Sequence, residues 1–424
     1  MSQKIAGVKG MNDVLPGEVE VWQFVEQKAR EVCRRFGYRE VRTPVVEDTA
    51  LFVRGVGEGT DIVGKEMYTF EDKGGRSLSL RPEGTAPAAR AYVEHSVSNQ
   101  EPITRWYYLG PMFRYERMKA GRYRQFSQLG AEAYGAKEPA QDAEMIELSV
   151  RILEALGLQG VSLHLNSIGD NACRPAYQKK LVDHFQGHRA ELCQDCQARL
   201  ERNPLRILDC KNEGCRAIAR DAPSILDALC EGCRAHFEEV KRRLTALGIP
   251  FELDPRMVRG LDYYTRTAFE LLASDPVLGT ASAVCGGGRY DRLVKELGGP
   301  DVPGIGFAMG VERLCLLLAE QKRDFAGAPD LFVATADAKA DEAAVKLVSQ
   351  YRSAGLWVET DPRGGSLKSQ MKRADKTGAR FALVLGEREL SEGSAELKPM
   401  RGGEPRRVAL GEVPGILRGE KAPA

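Results

Sequence analysis

The sequence predicts an α+β protein: an antiparallel sheet flanked by helices, interrupted by a helical insertion and followed by a small α/β domain. Three observations carry that expectation. Strand-like segments between Met67 and Gly135 fall in pairs joined by short turns, the stretch 175–250 shows helical patterns with little strand signal, and strands alternate with helices beyond Asp330. A chain of 424 residues should hold about two to three domains. They divide as residues 1–325, with the insertion at 175–250 inside them, and 330–424.

The elements follow in order. Pro16 can open a helix in which Trp22, Val25, Ala29, Val32 and Phe36 recur at spacings of three and four, with Gly37 as its stop. "YREVRTPVVED" reads as a strand interrupted at Pro44, which belongs at an edge or bulge because proline cannot donate to a ladder. "MYTFED" and "RSLSLRPEG", joined by Lys73, Gly74 and Gly75, form one hairpin pattern, and "RWYYLGPMFRYE" and "RQFSQLGAEAYG" form another. After the insertion, "YYTRTAFELLA", "ASAVCGGGRYDRL" and "GIGFAMG" are strand-like, and the last runs into the apolar helix "VERLCLLLAEQ". "KRDFAGAPD" is a linker pattern. Beyond it "LFVATA", "LWVET" and "RFALVLG" alternate with two helical segments, the mark of parallel strands.

Composition narrows the function classes. Apolar residues make up 43% and charged residues 29% of the chain, and no run approaches the roughly 18 apolar residues of a membrane span. The first residues lack the apolar core of a secretory signal. A soluble, cytoplasmic protein with no membrane partner is expected. The formal net charge of +1 excludes a chain that is basic throughout, and leaves room for a local cationic surface.

Several segments carry more polar chemistry than a core needs. In "RQFSQLGAE" the period of two puts Phe126, Gln128, Gly130 and Glu132 on one face. Arg114 and Glu116 share parity on the partner strand, and Arg117, Lys119, Arg122 and Arg124 lie at or near the tip. Such a hairpin suits a polyanion, since guanidinium groups chelate phosphate oxygens; it also reads as a solvated charged hairpin. Glu83 and Thr85 sit at a strand-to-helix junction, where they can bind an ammonium group, or where Thr85 can act as an N-cap with Pro87 in the first turn. Gly304, Gly306 and Gly310 depart by one residue from the dinucleotide fingerprint, so they read as room for a ligand's flat face, with Arg313 facing adenine or phosphates. First-turn helix charges account for Glu312 and Arg313 equally well.

Seven of ten cysteines fall between Cys173 and His236. The C-x-x-C pairs Cys193/Cys196 and Cys230/Cys233 can supply one closed, structural four-cysteine zinc site, or can be reduced buried thiols. The 33 residues between the pairs exceed the usual zinc-ribbon gap.

Taken in order, "VRTPVVED", "GPMFRYERMKAGRYRQFSQLGAE" and "GIGFAMGVERL" resemble the three signature segments of class II aminoacyl-tRNA synthetases. "VRGLDYYTRTAFE" and "CGGGRYDRL" are similar to the two segments peculiar to the histidyl-tRNA synthetase family, and the C-terminal part looks like that family's anticodon-binding domain. The resemblance implies a six-stranded antiparallel sheet in a homodimer whose interface involves the Pro44 segment. It implies ATP with magnesium, L-histidine and the histidine tRNA as ligands. Arg259 and Arg114 would be the catalytic cations at the α-phosphate, Arg313 would hold the γ-phosphate end, Arg122 would join the ATP site, and Glu116 would read the adenine amino group. The histidine ammonium would meet Glu83, Thr85 and Gln128, and its carboxylate Arg114 and Arg259. Its ring would meet Glu132 and Tyr264, between walls formed by Tyr263 and Tyr290, with the two phenols at 263 and 264 delivered by the strand after Gly260. Arg117 and Lys119 would approach the tRNA acceptor end, and Lys368, Lys372, Arg373 and Lys376 the anticodon phosphates, although a solvated helix face also explains the last four. A paralogue that regulates ATP phosphoribosyltransferase and charges no tRNA is the rival; Arg114, Arg259, Arg313 and the segment from Asp330 to Ala424 oppose it.

Overall fold

The computed structural model describes residues 5–279 and 282–419. Residues 1–4, 280–281 and 420–424 lie outside the described residues, among them the first residue of "ASAVCGGGRYDRL" and the end of the C-terminal domain. The chain forms two compact units, Met1–Arg323 and Asp324–Ala424.

The first unit is built on a sheet whose six long strands run antiparallel throughout. In spatial order they are Thr104–Phe113, Gln125–Tyr134, Gly304–Gly310, Ser282–Arg289, Thr265–Ala273 and Val161–Ser167. Two-residue strands, Arg39–Glu40 and Glu252–Leu253, extend the sheet in parallel at its two edges, making eight in all. The alternation of side chains divides the sheet's faces. Leu129, Ala131 and Ala133 pair with Met309, Phe307 and Ile305 on a buried apolar face. Gln128, Gly130 and Glu132 pair with Gly310, Ala308 and Gly306 on the other.

The helix Val19–Arg35 packs on two others, Pro139–Ala155 and Val311–Glu320, which lie against the sheet. The Pro44 expectation takes a particular form. The run breaks there into Arg39–Glu40 on the large sheet and Val46–Asp48 on the edge of a three-stranded sheet with Ser77–Leu80 and Tyr68–Glu71. The first strand of the hairpin ends at Phe113, three residues short of Glu116, so Arg114 and Glu116 lie in the connection and not on the strand. Tyr263 and Tyr264 likewise precede the 265–273 strand, because regular pairing begins only at Thr265.

The insertion comprises short helices, Arg174–Gln186, Gln194–Arg202 and Glu213–Arg220, and ends in Glu231–Ala246, which returns to pack on the 139–155 helix. That contact holds a buried polar cluster. Asp142, fully buried, receives two nitrogens of Arg289 and stands 3.0 Å from Nε2 of His236.

In the second unit Val358–Glu359, Leu331–Thr335 and Phe381–Leu385 are parallel, as the alternation predicted, and an antiparallel pair, Ser394–Pro399 and Arg406–Ala409, completes the sheet. The helix Leu367–Thr377 is capped by Ser366 and stopped by Gly378 at φ 72°. Among the described residues no helix is long and apolar enough to cross a membrane.

Candidate functional site

The polar face of the large sheet converges on Glu132. Its carboxylate is fully buried and accepts hydrogen bonds from the hydroxyls of Thr85 at 2.7 Å, Tyr108 at 3.0 Å and Tyr290. Two donors share Oε1 and one takes Oε2, so a carboxylate with about four lone-pair sites keeps capacity for one more. Burial, helped by the like charge of Glu83 and opposed by the hydroxyls, pushes the Glu132 carboxyl up to about 8. The glycines around it make room for protein groups. A Cβ on Gly304 would meet the ring of Tyr290, one on Gly306 the Glu132 carboxylate, and one on Gly130 the ring of Tyr108. The expectation that Gly304 and Gly306 clear space for a ligand's flat face is therefore corrected: their space belongs to Tyr290 and Glu132.

The junction above this centre is capped differently from either sequence reading. Gly84 is the N-cap of the helix Thr85–Glu94, and the Glu83 carboxylate accepts from the N–H groups of Thr85 at 2.7 Å and Ala86 at 2.8 Å. Thr85 is thereby free to turn its hydroxyl to Glu132. Burial still pushes the Glu83 carboxyl up, against those N–H groups and the nearby Arg114 charge. Tyr263 lies against Tyr264 with the rings tilted by 52° and their centroids 4.7 Å apart, and meets Tyr290 edge-on at 5.5 Å. Among the described residues the buried Tyr263 hydroxyl and Gln128 Oε1 have no hydrogen-bond partner. Buried polar atoms are rarely left so.

Beside this pocket lies a group of arginines. The Arg259 guanidinium pairs with Glu270 and lies over the Tyr264 ring, 5.8 Å from its centroid. It also covers Gly286, where any Cβ would collide with its nitrogens. Burial works against its charge, and Glu270 and Tyr264 more than offset that, so its pKa is raised. Arg114 donates to the Pro82 carbonyl at 2.8 Å and lies over Phe126. Arg122 pairs with Glu116 at 3.1 Å. Arg313 donates to the carbonyls of Ala283 and Gly121. Burial lowers the Arg313 pKa, and the neighbouring cations Arg122 and Arg114 lower it further, partly offset by Glu116 and Glu270. Like charges gathered so closely call for an anion. Glu270 and Tyr108 were not singled out in the sequence. A lone carboxylate in the apolar run "AFELLA" was the available signal for the first.

Arg117 and Lys119 are exposed on the hairpin loop, while Arg124 stacks over Tyr115 at 3.7 Å. On the 367–377 helix Lys368, Lys372 and Lys376 are exposed and Arg373 half-buried, opposite the buried Gln370 and Ala374. Asp262 accepts from Asn203 of the insertion at 2.8 Å, and Arg206 and Arg174 act on its charge.

The expected four-cysteine set is corrected. Cys193 and Cys196 gather with Cys210 and Cys215, whereas Cys230 and Cys233 gather with Cys173 and Asp170. The short helices fold back separately, so each C-x-x-C pair meets partners nearer in space than the other pair.

Residues 10–314 match the family described as histidyl-tRNA synthetase, and residues 330–420 the one described as anticodon binding domain. A histidine–tRNA ligase of Anaeromyxobacter dehalogenans is 53% identical over 420 residues, covering 98% of this chain and 100% of the relative. The crystal structure of apo S. aureus histidyl-tRNA synthetase is similar with a TM-score of 0.83 and 41% identity, covering 98% of this chain and 100% of that one. An ATP phosphoribosyltransferase regulatory subunit/histidyl-tRNA synthetase from Bacillus halodurans shares the fold at a TM-score of 0.66 and 21% identity, covering 91% of this chain and 99% of that one.

Proposed function

The chain belongs to the histidyl-tRNA synthetase family, and from that premise we propose how its residues join histidine to its tRNA. It is an aminoacyl-tRNA synthetase, a histidine–tRNA ligase with ATP as substrate. A carboxylate oxygen of histidine attacks the α-phosphorus of ATP, pyrophosphate leaves, and histidyl-adenylate remains. The terminal ribose hydroxyl of the tRNA then attacks the histidyl carbonyl and AMP leaves.

Charge builds on the α-phosphate oxygens during the first step, and cations fixed beforehand stabilise it without reorganising. Arg259 and Arg114 serve there and align the histidine carboxylate. The observation that carries this reading is the seating of Arg259, held over Gly286 by Glu270 with its charge retained despite burial. Arg313 and Arg122 take the outer phosphates, and Glu116, beside Arg122, receives the adenine amino group. Glu116 and Glu270 border the arginines and are each engaged by one of them, so Mg2+ would enter with the ATP, bound through its phosphate oxygens. Bound there, the ion would neutralise phosphate charge.

The hydrogen-bonding site left on Glu132 meets one ring nitrogen of histidine and Tyr264 the other, while Tyr263 and Tyr290 wall the ring. Gln128, with its unpartnered Oε1, Glu83 and Thr85 take the ammonium. An apolar amino acid would leave these groups unpaired, which is a strong basis for rejection. Arg117 and Lys119 approach the acceptor end. In the C-terminal unit, which spans the anticodon-binding match, Lys368, Lys372, Arg373 and Lys376 meet phosphates. The protein acts in the cytoplasm as a homodimer joined through the Pro44 segment.

Attachment of labelled histidine to the histidine tRNA tests the reading. Charging that requires ATP and that tRNA is expected; a folded preparation that charges none overturns it.

A further inference from the structure

The insertion presents two clusters that the catalytic account does not use. In the first, the sulfurs of Cys193, Cys196, Cys210 and Cys215 all lie within 4.8 Å of one another, and those of Cys193 and Cys210 are 3.8 Å apart. A zinc ion bound by four thiolates at about 2.3 Å in a tetrahedron spaces its sulfurs about 3.8 Å apart. A disulfide would need about 2.0 Å, and all four cysteines are free. The backbone is arranged for thiolates. The Cys193 N–H points to the Cys215 sulfur at 3.2 Å and the Asn212 N–H to the Cys210 sulfur at 3.5 Å. Cys193 is the N-cap of the 194–202 helix, with Cys196 in its first turn, where the helix dipole favours negative charge.

The second cluster repeats the plan with one carboxylate. Cys230 holds the N-cap position of the 231–246 helix, with Cys233 in its first turn, and Cys173 that of the 174–186 helix. Oδ1 of Asp170 stands 3.7 Å from the Cys173 sulfur and 4.0 Å from that of Cys230, and the Asp170 N–H points to the Cys173 sulfur at 3.3 Å. The four ligand atoms again lie within 4.8 Å.

These sulfurs sit within the insertion's own apolar core. Cys173, Cys196, Cys210, Cys215 and Cys233 are among the buried residues that hold the insertion's short helices together. A small module with one such cluster gains from a structural metal, whose binding energy adds to that of folding. Thiolate ligands select zinc over the hard cations, and a set with no open position is structural, not catalytic.

We propose that the insertion holds two structural zinc ions, one bound by Cys193, Cys196, Cys210 and Cys215, the other by Asp170, Cys173, Cys230 and Cys233. No ligand of either belongs to the catalytic site, so the proposal stands whether or not the residue roles above do. The first ion ties the middle of the insertion to itself. The second joins the segment that enters the insertion to the start of its last helix, next to Arg174, which donates to the Tyr264 carbonyl at 2.6 Å.

The test is the metal content of the full chain, purified without added metal from cells grown with zinc and measured by plasma mass spectrometry. Two zinc ions per chain are expected, with one lost in Cys215→Ser and one in Cys233→Ser. X-ray absorption at the zinc edge of the unaltered protein should give about 3.5 sulfurs per zinc at about 2.3 Å, the mean of the two ligand sets. That measurement stands even if a variant fails to fold. Fewer than two zinc ions, a different metal, or a first shell dominated by nitrogen and oxygen overturns the proposal.

Discussion

A Cβ on Gly306 would stand 1.7 Å from Oε2 of Glu132, directly across paired strands. The carboxylate thus fills the only space a side chain at 306 could enter. The Ala131 carbonyl, 2.6 Å from the same point, prevents the backbone from yielding. Gly306→Ala should therefore displace Glu132 and raise the KM for histidine at least about tenfold, at a cost of about 1–3 kcal/mol, with the KM for ATP little changed. Steady-state pyrophosphate exchange measures both. An unchanged histidine KM would mean that Glu132 does not form the ring pocket.

Arg259 and Glu270 are predicted to separate in kinetics. Arg259→Ala should slow adenylate formation by about 10²–10³, the loss expected for a donor that acts on developing charge, while histidine and ATP binding change far less. Glu270→Gln keeps the size and loses the charge that fixes Arg259, so a smaller loss in rate is expected. Rapid-quench measurement of adenylate decides it; equal losses in binding and rate would remove the transition-state role.

Stability should fall as pH rises through neutrality. The Glu132 carboxyl is pushed from 4.5 to about 8, chiefly by burial, and that of Glu312 to about 7 for the same reason. Between those limits the folded chain keeps protons that the unfolded chain has lost, so each group contributes stability that is complete below about 4.5 and lost as pH rises. Each such proton contributes a slope of about 1.4 kcal/mol per pH unit. Glu132→Gln should flatten the decline in melting temperature between about pH 6 and 8; an identical slope in the variant would sink the assignment.

The pair Arg289 and Asp142 is fully buried. Asp142→Ala leaves Arg289 charged without its main partner and also releases His236, which anchors the returning helix of the insertion. A loss of about 3–5 kcal/mol is expected, read by denaturant unfolding. A loss below about 1 kcal/mol would show that the cluster carries little of the fold.

Much of this was legible in the sequence because it is local. The period of two put Gln128 and Glu132 on one face, and the structure keeps them there. The hairpins, the helical insertion and the parallel strands of the C-terminal unit followed from turn residues and alternation. What stayed hidden depends on the exact register of pairing and on how the chain turns between elements. Nothing near Glu270 in the chain announces that Arg259 will fold back over it, and Tyr108 becomes a partner of Glu132 only because its strand pairs with 125–134. The cysteines show the same limit. The C-x-x-C spacing identified two pairs, but Cys173, Cys210, Cys215 and Asp170 join them through folding that no spacing encodes.

Pyrophosphate exchange into ATP, run with each amino acid in turn on the intact protein, tests the central claim most directly. The account predicts exchange with histidine alone, because only its ring and ammonium together pair Glu132, Tyr264 and Gln128. No exchange with histidine, or comparable exchange with an apolar amino acid, would contradict it.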